Sequence, residues 1–180
     1  RVFSGAEISA DAILASACLP TLYRAVEIDD PKTGRTEAYW DGGYTGNPPL
    51  FPLYDTELPD DILVVNINPL ERDAIPRTPH DIRNRINEIS FNSSLLRELR
   101  AIDFVSRLIG EGILQQGRMK SLRIHMIADD TLMNELSVAT KMMPVPAVLT
   151  RLKIAGQEAA GAFLAAHKSD IGKRSSVDLR

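Results

Sequence analysis

An α/β layered fold is predicted for this chain from three observations. Its 180 residues, 44% of them hydrophobic, suit one domain with a sizeable core and would be cramped as two. Short β-branched runs alternate along it with stretches of helical apolar spacing, the pattern of layered α/β chains rather than all-helical or all-β ones. The run DILVVNI, Asp61 to Ile67, has the Val and Ile density of a strand buried on both faces, as in the middle of a parallel sheet.

Each element follows from local signals. Val2 to Ile8 reads as a short strand, and because it opens on Arg1 with no turn or cap before it, the chain is expected to start partway through a larger protein. Ser9 is the predicted N-cap of the helix ADAILASACL, which Pro20 ends. YRAVEI and EAYWD are strand-like runs joined by DDPKTGR, whose Asp, Pro and Gly signal a turn between paired strands. After the DGGYTG loop and the Asp61 to Ile67 strand, Thr78 caps a long helix with Pro79 at its first position and Asp81 at the capping-box position. Ile82, Ile86, Ile89, Leu95, Leu99 and Ile102 keep helical spacing, with a soft spot around Asn92 and Ser93 where the helix is expected to bend or break. SLRIHMIA reads as another strand, and Thr131 begins a shorter helix closed by Pro144 and Pro146. Ala147 to His167 is a final Ala-rich helix, and the polar tail at about 169–180 is expected to fray.

Composition excludes several function classes. The net charge of −3, from 21 basic and 24 acidic residues, gives no global reason to expect nucleic acid as a partner. Cys18 is the single cysteine and reads as core filler, so nothing requires an oxidising compartment. No stretch approaches the roughly 18 to 20 apolar residues of a membrane-spanning helix. The expectation is a cytoplasmic protein or one peripheral to a membrane. Neither a Walker-type phosphate loop nor the dinucleotide glycine fingerprint is present, and His80, His125 and His167 are too scattered to pair with Cys18 around a metal. No cofactor and no metal are therefore expected. His80 and His167 read as surface residues and His125 as a half-buried structural one. Without a G-x-S-x-G elbow in the chain, Ser93 and Ser94 read as small polar residues bonding back to their own helix rather than as nucleophiles.

The candidate catalytic group is Asp41, in YWDGGYTGNPPLFPL. Gly42 and Gly43 permit positive φ and leave no Cβ to block a close approach, so a tight loop can present the carboxylate to a site. Tyr39 and Trp40 are expected to shield that carboxylate from water. A turn-forming Asp bonded to its own loop amides is the alternative. Asn47, Pro48 and Pro49 stiffen the chain leaving the loop. Leu50, Phe51 and Leu53 could line an acyl pocket or pack into the core. The helix face from Ile82 to Ile109 could meet a membrane surface, although a buried face is the commoner use of such a stripe.

SADAILASACLPTLYRAVEI followed by YWDGGYTGNPPLFPLY resembles the C-terminal half of the bacterial patatin-like phospholipases. NEISFNSSLLREL, LSVATKM with its following helix, and the terminal RSSVDL extend the resemblance over nearly the whole chain. It implies a three-layer α/β/α sandwich with a mostly parallel central sheet, incomplete at the N-terminus, and makes residues 1–180 the C-terminal part of a single domain. It also implies a lipid acyl hydrolase with a Ser-Asp dyad, acting on a lipid or ester substrate. Asp41 would be the general base, supported by Gly42 and Gly43. The nucleophilic serine and the Gly-rich oxyanion loop would lie before Arg1, leaving residues 1–180 inactive alone. The competing reading is a non-catalytic α/β module that binds a lipid or protein partner, in which Asp41 only shapes a turn.

Overall fold

The structure, a computed structural model, describes residues 1–72, 74–115, 117–136 and 144–179. Helix α1 spans Ala10–Ser16, and the Ser9 side chain caps it by accepting the Ala12 N–H. Strands β1, Val26–Asp30, and β2, Arg35–Tyr39, pair antiparallel from Val26 opposite Tyr39 to Asp30 opposite Arg35. Their turn needs Gly34, whose φ is +66°, so that the Thr33 and Gly34 amides can both reach the Asp30 carbonyl. The expected strand from Val2 to Ile8 does not form. Ser4 and Glu7 instead make a capping box around a single 3-10 turn, Gly5–Glu7, with Gly5 at φ +54°.

Strand β3, Asp61–Asn66, runs parallel to β4, Arg123–Ala128, with Asp61 opposite Arg123 and Asn66 opposite Ala128. The crossover between them contains α2, Pro79–Gly110, capped by Thr78 as expected. No break occurs at Asn92 and Ser93. The buried Asn92 amide is satisfied by donating to the Pro69 carbonyl at 2.7 Å, so the polar residue fastens the helix rather than interrupting it. Leu95, Leu99 and Ile102 pack on Ile62, Val64 and Ile124 to form the main core, with Leu50 and Leu122. Ile82, Ile86 and Ile89 are exposed, so only the C-terminal half of the apolar stripe is used.

Two shorter helices follow, α3 at Asp130–Glu135 and α4 at Pro146–His167. The first ends well before Pro144, and the LSVATKM run beyond Leu136 lies outside the described residues. Because side chains alternate along a strand, Ile124 faces α2 while His125 faces α4, where Phe163 meets its ring edge-on at 6.0 Å. Helices thus cover both faces of β4. For β3 the expectation of two buried faces is corrected: Ile62 and Val64 are buried, but Leu63 and Val65 are 50% and 66% exposed, because α4 lies over β4 and not over its neighbour. The class is mixed α/β, with one antiparallel and one parallel pair of strands among the described residues.

The tail is tied down rather than frayed. The Gly172 N–H donates to Asp61 Oδ1 (2.8 Å), the Ile124 N–H to Ser175 Oγ (3.0 Å) and the Ser176 N–H to the Ile124 carbonyl (3.0 Å). His125 is fully buried, not half-buried, with Nε2 at 2.9 Å from Asp61 Oδ1 and Nδ1 at 3.1 Å from Ser176 Oγ. Val177 and Leu179 then pack against the main core.

Candidate active site

Asp41 follows directly on β2, and its approach is held by polar contacts on both sides. The Tyr39 hydroxyl donates to Asp30 Oδ2 at 2.5 Å, and its ring meets Phe3 edge-on. Arg1 Nε donates to the same carboxylate at 2.9 Å. The Arg1 guanidinium and the Tyr39 hydroxyl hold the buried Asp30 carboxyl well below the usual carboxylate range, and Asp30 in turn pushes the Tyr39 phenol up. Trp40 is 51% exposed and its indole N–H donates to the Tyr23 carbonyl. The aromatic pair flanks Asp41 but leaves it partly open to water. The Tyr39 ring is committed to Asp30 and Phe3, and the Trp40 ring, about half exposed, lines the same cleft as Asp41 without enclosing it.

The Asp41 N–H donates to the Cys18 carbonyl at 2.9 Å, fastening the residue to the end of the α1 segment. Cys18 is buried, and its thiol donates to the Arg24 carbonyl. Asp41 then caps a single 3-10 turn, Gly42–Tyr44, with Oδ1 accepting the Gly43 N–H at 2.7 Å. Its Oδ2 accepts no hydrogen bond among the described residues. Neither Gly42 nor Gly43 takes a positive φ. The requirement for glycine is one of space at Gly43, where a Cβ would stand 3.0 Å from Asp41 Oδ1 and 3.6 Å from Phe91 Cε1; at Gly42 it would meet nothing within 4 Å.

Leaving the turn, the chain rests on α2. Tyr44 packs edge-on against Phe91 at 5.6 Å, and the Asn47 N–H donates to Ser94 Oγ at 2.7 Å. The Asn47–Pro48 peptide is cis. Leu50 enters the main core, whereas Phe51 and Leu53 stay exposed. A cleft of about 920 Å³ opens over the turn, lined by Asp41 and Tyr44 and, among its apolar residues, by Ile8, Ile13, Trp40 and Pro48. Phe91 is not singled out in the sequence, and Ser94 reads there only as a small polar residue bonding back to its own helix; both contact the loop, at Tyr44 and Asn47. The adjacent serines are a signal for Ser94 alone; nothing local marks Phe91.

Residues 3–54 match the family model of patatin-like phospholipases. The match covers less than a third of the chain, and Asp41, Gly42 and Gly43 lie within it. No curated protein and no solved structure matches the chain. Among the described residues, no group of three or more His, Cys, Asp or Glu side chains could hold a metal ion, and no helix is long and apolar enough to cross a membrane.

Proposed function

We propose that this chain carries the base of a Ser-Asp dyad in a patatin-like lipid acyl hydrolase, with Asp41 as general base and Gly42 and Gly43 shaping its loop. One observation carries the reading. Within the residues that match the family, a carboxylate is fixed through one oxygen by the Gly43 N–H, while its other oxygen is left to act at an apolar-lined cleft.

The chemistry follows from that asymmetry. A serine hydroxyl needs a base within about 2.6–3.2 Å to become a nucleophile at neutral pH. Asp41 Oδ2 takes the hydroxyl proton as the serine attacks the ester carbonyl, and the resulting carboxylic acid returns it to the departing alcohol. The same carboxylate then takes a proton from the attacking water and returns it to the serine oxygen as the fatty acid leaves. Backbone N–H groups must stabilise the oxyanion, and these, like the serine, are supplied from outside residues 1–180. Residues 1–180 then form the C-terminal part of a single catalytic domain.

A second reading has one observation in its favour: the Asp41 to Gly43 bond is also what a carboxylate does when it only shapes a turn. The test is hydrolysis of a p-nitrophenyl ester and a phospholipid by the complete polypeptide. Asp41→Asn is expected to abolish turnover while the thermal midpoint stays nearly unchanged, because the amide oxygen can still accept the Gly43 N–H. Equal activity in the variant would leave Asp41 as a turn residue. Residues 1–180 alone are expected to hydrolyse neither substrate.

A further inference from the structure

We infer that Ser94, on the middle of α2, is a positioning residue for Asp41, acting through the loop that runs from Gly42 to Asn47. The inference rests on Asp41 being the base. Ser93 and Ser94 sit side by side, and each hydroxyl donates to the carbonyl three residues back, at 2.8 Å to Ser90 and 3.0 Å to Phe91. Ser94 alone also accepts a distant N–H, that of Asn47 at 2.7 Å. Its own proton has the Phe91 carbonyl at 3.0 Å as the shorter acceptor and the Asn47 carbonyl at 3.5 Å as the longer one, so the hydroxyl meets both the N–H and the carbonyl of Asn47.

The helix beneath it is packed into the main core at this point. Leu95, the next residue, is fully buried in the main core, so the position of Ser94 is referred to the β3–β4 sheet. Phe91, three residues earlier and therefore on the same helix face, meets Tyr44 and closes the space beside Gly43. One face of α2 thus touches the loop at Gly43, Tyr44 and Asn47, while the Cys18 carbonyl holds its start at Asp41. A turn needed only to reverse the chain would be complete with the Gly43, Thr45 and Gly46 amide bonds inside it. The added anchors set where the carboxylate stands relative to the core, and a displacement of about 1 Å at a reacting group can cost on the order of a hundredfold in rate.

The experiment uses the complete polypeptide, with active sites counted by a fluorophosphonate that labels the nucleophilic serine. Per labelled site, Ser94→Ala is expected to lower kcat by about tenfold to a hundredfold with KM within twofold. Ser94→Thr, which keeps the hydroxyl, restores most of it, and Ser93→Ala behaves as wild type. Amide exchange at Asn47 is expected to quicken in Ser94→Ala and not in Ser94→Thr. A per-site kcat within twofold of wild type in Ser94→Ala overturns the inference. So does a loss accounted for by fewer labelled sites, which would mark a purely structural role. Asp41→Asn, run alongside, separates the two levels: full turnover in that variant removes the base itself, whereas its inactivity beside an unaffected Ser94→Ala removes only the positioning role.

Discussion

Asp61→Asn tests the buried polar network that fastens the tail to the sheet. Asp61 accepts from four donors: Arg123 Nε and Nη2 on Oδ2, at 3.0 and 2.9 Å, and His125 Nε2 and the Gly172 N–H on Oδ1, at 2.9 and 2.8 Å. An asparagine keeps the shape but replaces one accepting oxygen by an NH2 group, so the two bonds on that side meet donor with donor. Hydrogen bonds to charged groups contribute roughly 1.5–3 kcal/mol each. Arg123 retains Asp60 at 3.3 Å, and the Asp61 side chain is 19% exposed, so water offsets part of the loss. The expected cost is about 2–4 kcal/mol at pH 7. The Arg123 guanidinium, with the Gly172 amide and His125, holds the Asp61 carboxyl well below the usual range against the opposing effect of burial. Its contribution is therefore full above the unfolded value of about 3.9 and is lost as pH falls toward the folded value. Above about pH 5 the Asp61 carboxyl is ionised in both the folded and the unfolded chain, so its own titration adds no slope to the gap. At about pH 3, roughly 0.9 units below the unfolded value, it narrows by about 1.2 kcal/mol. Urea unfolding followed by Trp40 fluorescence at pH 7, 5 and 3 measures this. A gap under about 1 kcal/mol at pH 7, or one that widens toward pH 3, would refute the reasoning.

Two further outcomes can be read by the same unfolding assay. Leu95→Ala, at the fully buried centre of the main core, is expected to cost about 3–5 kcal/mol, while Leu96→Ala beside it, on the exposed side of α2, costs under about 1 kcal/mol. Gly42→Ala is expected to stabilise the chain by about 0.4–1 kcal/mol, since its φ is ordinary and its Cβ meets nothing. Gly43→Val should destabilise by about 1–3 kcal/mol, its branched side chain pressing on Asp41 Oδ1 and Phe91. Similar values at the two glycines would mean that the turn is not packed as described.

Local chemistry was legible in the sequence wherever it is short-range. The Ser9 and Thr78 caps, the Asp-Pro-Gly turn between β1 and β2, and the β-branched density of β3 each depend on neighbours a few residues away, and each forms where its signal stands. The Asp41 loop belongs to this group, because a carboxylate before two glycines bonds to its own turn in almost any surroundings. Periodicity went too far in two places. It described an apolar stripe from Ile82 to Ile102 and a strand apolar on every side, but spacing cannot say what lies opposite. Tertiary placement of α2 and α4 decided that Leu95 is covered while Ile86 is not, and that His125 is covered while Leu63 is not. The glycines changed meaning for the same reason. Sequence suggests conformational freedom, whereas the fold asks for room beside Phe91. By itself the sequence determined most of the elements, the Ser9 and Thr78 caps and the acid at the head of the loop, all set by contacts within a turn or two; the strand expected at Val2 to Ile8 is the exception. Only the tertiary structure decided that Ser94 reaches Asn47 and that the polar tail closes on Asp61 and His125, because those bonds join residues 47 to 111 positions apart.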